Sequence, residues 1–405
     1  MIKCKEYTIA QICSVITGAI FRKSEFAKEG IPVIKTANIK SNKINFNKLS
    51  YVSDSTAQKH QRCEILYNDI LFTMTGNQDV GNPNYWVGRV AVFKEKKRYM
   101  LNQRLCIIRP NKELVDADFL AYYLSSVQTQ SYFMNLDQTS GKQTNILLSK
   151  INECRIKLPN MTMQKRIAEI LKEIDSKIAG CEEEINNLEE QAAAYYDKLF
   201  IQNQSTAWKK GTLSDIGTII SGGTPSKEKK EYFSKAGIPW ITPKDLVNKK
   251  VKFISHGKTD ISELGLRKSS ASKMPEGTVL FSSRAPIGYM AIAANELTTN
   301  QGFRSVIPNK NVGTAFTYYL LKHLLPAINE RAVGGLFKEI SGNRMKTVPV
   351  IIPDDDTLNK FNDFCKPLFE RQRNLEKEKY RLELMRGDVL PKFISGEYDV
   401  DNFII

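Results

Sequence analysis

After Pro159, apolar side chains recur at alternating three- and four-residue intervals, and after Pro353 they recur every seven residues. This spacing is the heptad pattern of a helix that buries one seam against a second helix. It predicts long helices over residues 161–202 and 354–396, the second followed by an acidic tail at 397–405. The predicted coiled-coil seam residues are Ile167, Leu171, Ile174, Ile178, Ile185, Leu188 and Leu199 in the first helix, and Phe361, Leu368, Leu375, Leu382 and Val389 in the second.

The second helix carries a polar row between its apolar positions, formed by Cys365, Gln372, Lys379 and Arg386. Such a row is consistent with a solvent-accessible flank or with a feature that sets the register of helix pairing. An acidic run at 354–356 precedes the helix. Because carboxylates at a helix start meet the positive end of the helix dipole, this run predicts an N-terminal cap rather than a metal site.

The two stretches outside the helices, residues 1–160 and 203–353, are copies of one pattern. Gly18 at the end of YTIAQICSVITG matches Gly222 at the end of GTLSDIGTIISG, and the agreement continues through later β-type runs. Matched positions are strand residues and turn glycines, whereas the intervening stretches differ in length and composition, as loops do. The repeat predicts an α+β fold with two similar mixed α/β domains, whose loops diverged either to read different targets or neutrally. Other matched pairs are Gly30 with Gly237, Asn102 with Asn300, Gln103 with Gln301, Tyr122 with Tyr318 and Pro159 with Pro353.

The net charge of +15 is distributed unevenly along the chain. Residues 162–200 carry −4, residues 354–396 carry 0 and residues 397–405 carry −3, which leaves +22 on the two repeated stretches. Basic domains joined by neutral or acidic helices favour binding to a polyanion such as nucleic acid.

The chain order of domain, helix, domain and helix predicts an antiparallel coiled coil, because the second helix can bury the first seam by running back along it. A helix of about 33 residues spans about 50 Å. Such a coiled coil would hold two basic domains at a fixed separation, as recognition of two half-sites on duplex DNA requires. A coiled-coil scaffold whose basic ends bind other proteins stays open as an alternative.

Several classes of active site find no support in the residues. The seven cysteines are scattered without a C-x-x-C pair and the chain has three histidines, so we expect free, mostly buried thiols and no metal site. The sequence has no G-x-x-x-x-G-K-[ST] phosphate loop and no glycine-rich loop for S-adenosylmethionine. The stretch NPNY at 82–85 lacks the second proline of the Asn-Pro-Pro-Tyr tetrad of adenine methyltransferases and is interpreted as a turn. No run resembles a membrane span or a secretory signal, so we expect a cytoplasmic protein without catalytic residues or a cofactor of its own.

Four stretches of the second copy resemble the specificity subunit of Type I restriction–modification systems: LSDIGTIISGGTPSK at 213–227, GIPWITPKDL at 237–246, GTVLFSSRAPIG at 277–288 and TTNQGFRSVIP at 298–308. The lead into each helix and the order of elements along the whole chain resemble that family as well. The resemblance implies that each domain is a target recognition domain that reads one half of a bipartite double-stranded DNA target, and that the helices set the spacer and dock methyltransferase subunits. It also implies two methylation subunits and two restriction subunits as partners, with S-adenosylmethionine, ATP and Mg bound by those partners, and no catalysis by this chain.

Side chains that can pair with base edges occur in the loops of both domains. In the major groove Arg and Lys match guanine and Asn and Gln match adenine, whereas other lysines contact phosphates. The predicted DNA-binding residues are Asn77, Gln78, Gln103, Arg104, Lys142 and Gln143 in the first domain, and Ser283, Arg284, Gln301, Arg304 and Lys338 in the second. The predicted phosphate contacts are Lys35, Lys40, Lys43, Lys244 and Lys249.

Three alternatives remain beside this interpretation. The pairs Asn102-Gln103 and Asn300-Gln301 recur in both copies, so they either select a sequence or instead support the scaffold or bind the DNA backbone. A nonspecific nucleic-acid-binding scaffold would use the same charge but would show no sequence preference. A catalytic DNA methyltransferase would be active as the isolated chain.

Overall fold

The computed structural model describes residues 4–40, 43–77, 87–135, 143–284, 286–334 and 338–405, with only the backbone at positions 77 and 143. The chain forms two compact units. The first comprises Met1–Ile178 and Arg381–Ile405, and the second comprises Ala179–Tyr380. Each unit therefore contains one repeated domain together with a stretch of both long helices.

The first unit has two four-stranded sheets. Its strands are β1 Lys5–Thr8, β2 Cys13–Thr17, β3 Phe26–Ala27, β4 Ile31–Ile34, β5 Ile39–Lys40, β6 Lys43–Ile44, β7 Ser50–Val52, β8 Ile70–Thr73, β9 Thr75–Asn77, β10 Val90–Val92, β11 Met100–Leu101, β12 Leu105–Pro110, β13 Gln143–Asn145 and β14 Arg155–Leu158. Its helices are α1 Ile9–Ile12, α2 Asp54–Lys59, α3 Ala117–Leu124, α4 Val127–Asn135, α5 Leu148–Glu153 and the first part of α6 Met161–Tyr196. The two sheets have the orders β10-β8-β12-β2 and β11-β4-β7-β3, and β1 pairs with β14.

The second unit repeats this plan. Its strands are β15 Lys209–Thr212, β16 Gly217–Ser221, β17 Phe233–Ser234, β18 Ile238–Ile241, β19 Phe253–Ile254, β20 Thr259–Ile261, β21 Val279–Phe281, β22 Met290–Ala293, β23 Thr298–Thr299, β24 Arg304–Pro308 and β25 Pro349–Ile352. Its helices are α7 Leu213–Ile216, α8 Pro243–Lys249, α9 Glu263–Arg267, α10 Thr314–His323, α11 Leu325–Arg331, α12 Gly342–Lys346 and the larger part of α13 Asp355–Ser395. The sheet orders β16-β24-β21-β22-β19 and β17-β20-β18-β23 reproduce those of the first unit, with β19 added in parallel to β22.

The matched glycines of the two copies occupy the same structural position. At Gly18 a Cβ atom would lie 2.1 Å from the carbonyl oxygen of Asn102, and at Gly222 it would lie 2.0 Å from that of Asn300. These distances are shorter than any carbon–oxygen contact allows, so only glycine fits where the chain leaves β2 or β16. The repeated glycine and the repeated asparagine are two sides of one close backbone contact.

The two long helices pair within each unit, and their direction in the second unit is antiparallel. There, Arg371 of α13 forms a bidentate ion pair with Glu184 of α6 at 2.7 and 2.8 Å, and Lys379 pairs with Glu182 at 2.7 Å. In the first unit, Arg386 of α13 contacts Asp175 of α6. The α+β fold with paired antiparallel long helices is therefore confirmed.

The polar row of the second helix lies against the first helix rather than in solvent. Gln372 is buried and donates a hydrogen bond to the carbonyl oxygen of Ile185 at 3.1 Å. Cys365 is buried as well, while Lys379 and Arg386 are half-buried and form the ion pairs just described. The row therefore supplies polar contacts that fix which residues face each other along the pair.

The predicted seam residues pack on the repeated domains as well as on the opposite helix. In the second unit, Phe361 of α13 joins Phe316 of α10 and Phe200, which lies in the π-helical turn Asp197–Gln202 that continues α6. The buried seam residues are Ile167, Leu171, Ile174, Phe361, Leu375, Leu382 and Val389, and the half-buried ones are Ile178, Ile185, Leu188, Leu199 and Leu368. Both helices thus contribute to the hydrophobic core of the second unit.

The start of α13 is capped by the acidic run that precedes it. Asp354 accepts a hydrogen bond from the backbone N–H of Thr357 at 2.8 Å and another from the indole N–H of Trp208 at 2.8 Å. These two donors lower the pKa of Asp354. The capping prediction is confirmed.

A buried lysine connects the second domain to both long helices. The Nζ atom of Lys252 lies 2.6 Å from Glu189 Oε2, 3.0 Å from Gln372 Oε1 and 3.1 Å from the hydroxyl of Tyr319. The same atom lies 3.9 Å from the ring centroid of Phe369. The charge is compensated by one carboxylate, polar contacts and an aromatic face.

The seven cysteines are free thiols, of which five are buried. In the described ranges, no helix combines the length and the apolar character that crossing a bilayer requires.

Candidate nucleic-acid interface

One edge of the second unit brings together loops that lie far apart in sequence. Because β16 and β24 are antiparallel, Ser221 at the end of β16 lies opposite Arg304 at the start of β24. An isolated bridge between Ser282 and Phe303 places the end of β21 at the same edge. The chain segments that continue from these strand ends therefore meet on one side of the sheet. We call this side, formed by the segments at residues 222–224, 283–284, 300–304 and 338–340, the candidate edge of the second unit.

Backbone hydrogen bonds connect these segments. The N–H of Ser283 donates to the carbonyl oxygen of Gly302 at 2.8 Å, and the N–H of Ile340 donates to the carbonyl oxygen of Ser283 at 3.1 Å. The hydroxyl of Thr224 donates to Oε1 of Gln301. The five residues predicted to contact DNA in this domain, Ser283, Arg284, Gln301, Arg304 and Lys338, thus lie on segments that adjoin one another.

These five side chains differ in their availability. Ser283 is fully buried, and its hydroxyl donates to the carbonyl oxygen of Gly302 at 3.1 Å, so it supports the turn instead of facing solvent. Gln301 and Lys338 are exposed, and Arg284 is partly exposed. The guanidinium of Arg304 is engaged with the carbonyl oxygens of Gln301 and Phe303 and with a carboxylate.

The first unit has the corresponding edge. Strand register places Thr17 of β2 opposite Cys106 of β12, and Thr73 of β8 opposite Leu105. The N–H of Met74 donates to the carbonyl oxygen of Arg104 at 3.0 Å, and Gln103 and Arg104 are exposed in the turn before β12. The backbone of Asn77 in β9 is paired with that of Gln143 in β13. The predicted contacts Gln78 and Lys142, and the stretch at 82–85, lie outside the described residues.

The repeated asparagines make contacts within their domains, through the backbone at Asn102 and through the side chain at Asn300. The N–H of Asn102 donates to the carbonyl oxygen of Ile34, and Oδ1 of Asn300 accepts from the N–H of Gly302 at 2.9 Å. Gln103 and Gln301 are exposed.

The predicted phosphate-binding lysines lie on several elements. Lys35 donates to the hydroxyl of Ser50 at 2.7 Å and lies over the ring of Phe26. Lys40 and Lys43 are exposed and directly opposite each other in the β5–β6 pair. This like-charged pair would be stabilised by an anion.

The two predicted lysines of the second unit lie at opposite ends of α8. Lys244 is exposed near the start of the helix, next to Pro243, whose ring closely approaches Gly302 in the candidate edge. Lys249, at the end of the helix, donates to the carbonyl oxygen of His256 at 2.7 Å. Lys244 is therefore the closer of the two to the predicted base-contacting segments.

Two residues of the second edge were missed by sequence reasoning. Thr224 lies within the conspicuous SGGTP stretch, so its motif was a usable signal. Glu339 accepts from Arg304 at 3.1 Å and pairs with Arg284 at 3.5 Å. Nothing in the local sequence distinguishes this glutamate from the many exposed ones, since its role depends on strands that meet only in the fold.

Comparison with known proteins gives this two-domain architecture a family. A sequence model described as the Type I restriction modification DNA specificity domain matches residues 1–190 and 206–384. The chain belongs to the family of Type I restriction–modification specificity subunits.

Individual relatives agree with this assignment. Over 189 residues, the chain is 39% identical to the Type I restriction enzyme MjaIX specificity subunit of Methanocaldococcus jannaschii, a match covering 44% of this chain and 43% of that relative. It is 24% identical to the putative MjaX specificity subunit of the same organism, over 97% of this chain and 93% of that relative. The Type I restriction enzyme HindI specificity subunit of Haemophilus influenzae is 23% identical, over 97% of this chain and 99% of that relative.

A solved structure shares the fold. The S subunit of a Type I restriction–modification system from M. genitalium aligns with a TM-score of 0.61 at 17% identity, covering 97% of this chain and 96% of that chain.

Proposed function

We propose that this chain supplies the DNA sequence specificity of a Type I restriction–modification complex, each domain reading one half of a bipartite target. The observation that carries the proposal is the repeated edge, in which an equivalent glycine–asparagine contact and the same following glutamine are flanked by different side chains in the two units, Arg104 in the first and Arg284 and Lys338 in the second. A common frame with unlike polar groups suits two readers of different base sequences.

Base reading is assigned to polar and basic loop side chains in each domain. The first domain offers amides and one arginine, Asn77, Gln103, Arg104 and Gln143, with Gln78 and Lys142 as further candidates. The second offers Arg284, Gln301 and Lys338 on the described segments. Lys35, Lys40, Lys43, Lys244 and Lys249 would hold phosphates and give the complex its salt-dependent affinity.

The paired helices would set the distance between half-sites and dock the partner subunits. Two methylation subunits and two restriction subunits are the expected partners, and S-adenosylmethionine, ATP and Mg would be bound by them. The chain itself would be non-catalytic, and a complex that acts on genomic DNA would work in the cytoplasm.

The test is the genome-wide pattern of methylated adenine in the source cell, in a deletion strain and in the deletion strain complemented with this chain. We expect the deletion to remove one split motif and complementation to restore it, with all other motifs intact. An unchanged pattern in a strain with active methylation subunits would contradict the proposal and favour a nonspecific scaffold. Methylation by the purified chain without partners would instead indicate a catalytic methyltransferase.

A further inference from the structure

The backbone around Arg284 is held on both sides. Ser283 donates to Gly302 on the segment before β24, and accepts from Ile340 on the segment after residue 338. Arg284 itself forms an antiparallel bridge with Glu339. The start of the arginine side chain is therefore fixed relative to three segments of the edge.

The two arginines beside Glu339 differ in how many of their donors are engaged. Arg304 is 15% exposed and donates to the carbonyl oxygens of Gln301 and Phe303 at 3.0 and 2.8 Å and to Glu339 Oε1 at 3.1 Å. Arg284 is 39% exposed and, among the described residues, has one ion pair, from Nη1 to Glu339 Oε2 at 3.5 Å. Each carboxylate oxygen faces a different guanidinium, and within the part of the chain that the structure describes most N–H groups of Arg284 are left for another acceptor.

We propose that Arg284 reads a guanine in the half-site bound by the second domain and that Glu339 is its positioning residue, an inference that rests on the proposed function. Guanine presents two acceptors, N7 and O6, at the spacing of the arginine fork. Glu339 restricts the orientation of the guanidinium before DNA binds, and its negative charge opposes the approach of a phosphate to the same arginine. Arg304 holds the Gln301 turn and the carboxylate in place.

The experiment uses the complemented deletion strain, with the full chain expressed beside its native partner subunits. Arg284→Ala should convert one required G·C pair, in one half of the methylated motif, into a degenerate position. The preference for the consensus base there should fall roughly 5- to 150-fold, the range for loss of one bidentate arginine–base contact. Arg284→Lys, which keeps the charge without the fork, should relax the same position less. Arg267→Ala, which removes an exposed arginine on α9 with the same charge change, should leave the motif unchanged.

Glu339→Gln separates positioning from general stability. We expect partial loss of discrimination at the same base pair, with a melting temperature close to that of the wild-type chain. If the base preference at that pair is reduced in Arg284→Ala but not in Glu339→Gln, only the positioning role of Glu339 is overturned.

The remaining outcomes decide the guanine assignment. The guanine assignment would be overturned if Arg284→Ala left the methylated motif unchanged, or if the position that lost its base preference were an A·T pair. In both cases the motif of the wild-type chain would still support the proposed function. If Arg284→Ala abolishes methylation, the motif of Arg284→Lys decides the guanine assignment. A motif in that variant with the same base preference as the wild-type motif would also overturn the assignment. Absence of any motif attributable to the wild-type chain would instead count against the proposed function itself.

Discussion

Replacing Lys252 by alanine should destabilise the second unit more than any removal of a surface lysine. The side chain is 6% exposed, and its ammonium lies 2.6 Å from Glu189 and 3.0 Å from Gln372. The alanine variant would leave both acceptors without this donor inside the unit. Removing one member of a buried ion pair costs about 3–5 kcal/mol, because the other charge remains in the interior.

The structure points to the lower end of that range. Glu189 is 27% exposed and keeps a second partner, Lys322, at 2.7 Å. We therefore expect a loss of about 3 kcal/mol. In a unit of about 200 residues, 1 kcal/mol corresponds to about 2–4 °C, so the melting temperature should fall by about 6–12 °C.

Thermal unfolding of the purified chain, with hydrogen exchange of the β22 and β24 amides to follow the second unit, would measure this loss. Lys322→Ala is the matched control, since Lys322 contacts the same carboxylate but is 41% exposed. That variant should lose less than about 1 kcal/mol. Equal losses in the two variants would refute the reasoning that Lys252 is costly to remove because it is buried.

Three further results are expected. Burial alone would raise the pKa of Glu189, but Lys252 and Lys322 lower it from 4.5 to about 2. The stabilisation by the ionised Glu189 carboxylate is therefore present above about pH 4.5 and lost towards pH 2. In urea titrations of the second unit, Glu189→Gln should reduce the loss of unfolding free energy between these pH values by about 3 kcal/mol. An unchanged dependence of the unfolding free energy on pH in this range would contradict the lowered pKa of Glu189. Gly222→Ala should lower the free energy of unfolding by about 2–4 kcal/mol, because the new Cβ meets the Asn300 carbonyl oxygen. Gly180→Ala, which has open space around the new Cβ, should raise it by up to about 1 kcal/mol. Similar melting temperatures of the two variants would exclude this clash as the reason for the glycine at position 222. Seven-residue insertions after both Gly180 in α6 and Arg381 in α13 keep the heptad and lengthen the helix pair by about 10 Å. The methylated motif should then gain about three base pairs between its halves. A motif spacer of unchanged length would rule out the spacer role of the helices.

The long helices and the duplication could be read from the chain because both are local or internally repeated signals. A heptad needs only residues three and four positions apart, so the helices Met161–Tyr196 and Asp355–Ser395 follow from periodicity. The paired glycines Gly18 and Gly222 marked the same turn twice. What periodicity did not reveal is that Phe361 packs with Phe316 in the core of the second unit as well as facing the other helix.

The candidate edge was predicted in part. Residue type and loop position selected Arg284, Gln301 and Arg304, and the fold brings their segments together. The same criteria selected Ser283, which is buried, and passed over Glu339. Exposure of a loop side chain depends on which other segments cover it, and those segments are distant in sequence.

The sequence by itself determined the two copies, the two helices, the charge of the domains and the glycine turns. Each of these features is visible either in neighbouring residues or in the agreement between the two halves of the chain. Only the tertiary structure decided which loops adjoin, that Gln372 and Lys252 lie inside, and that Arg304 is engaged while Arg284 has one ion pair within the described residues. The reason is that hydrogen-bond partners and burial arise from contacts between residues tens to hundreds of positions apart, which no local pattern specifies.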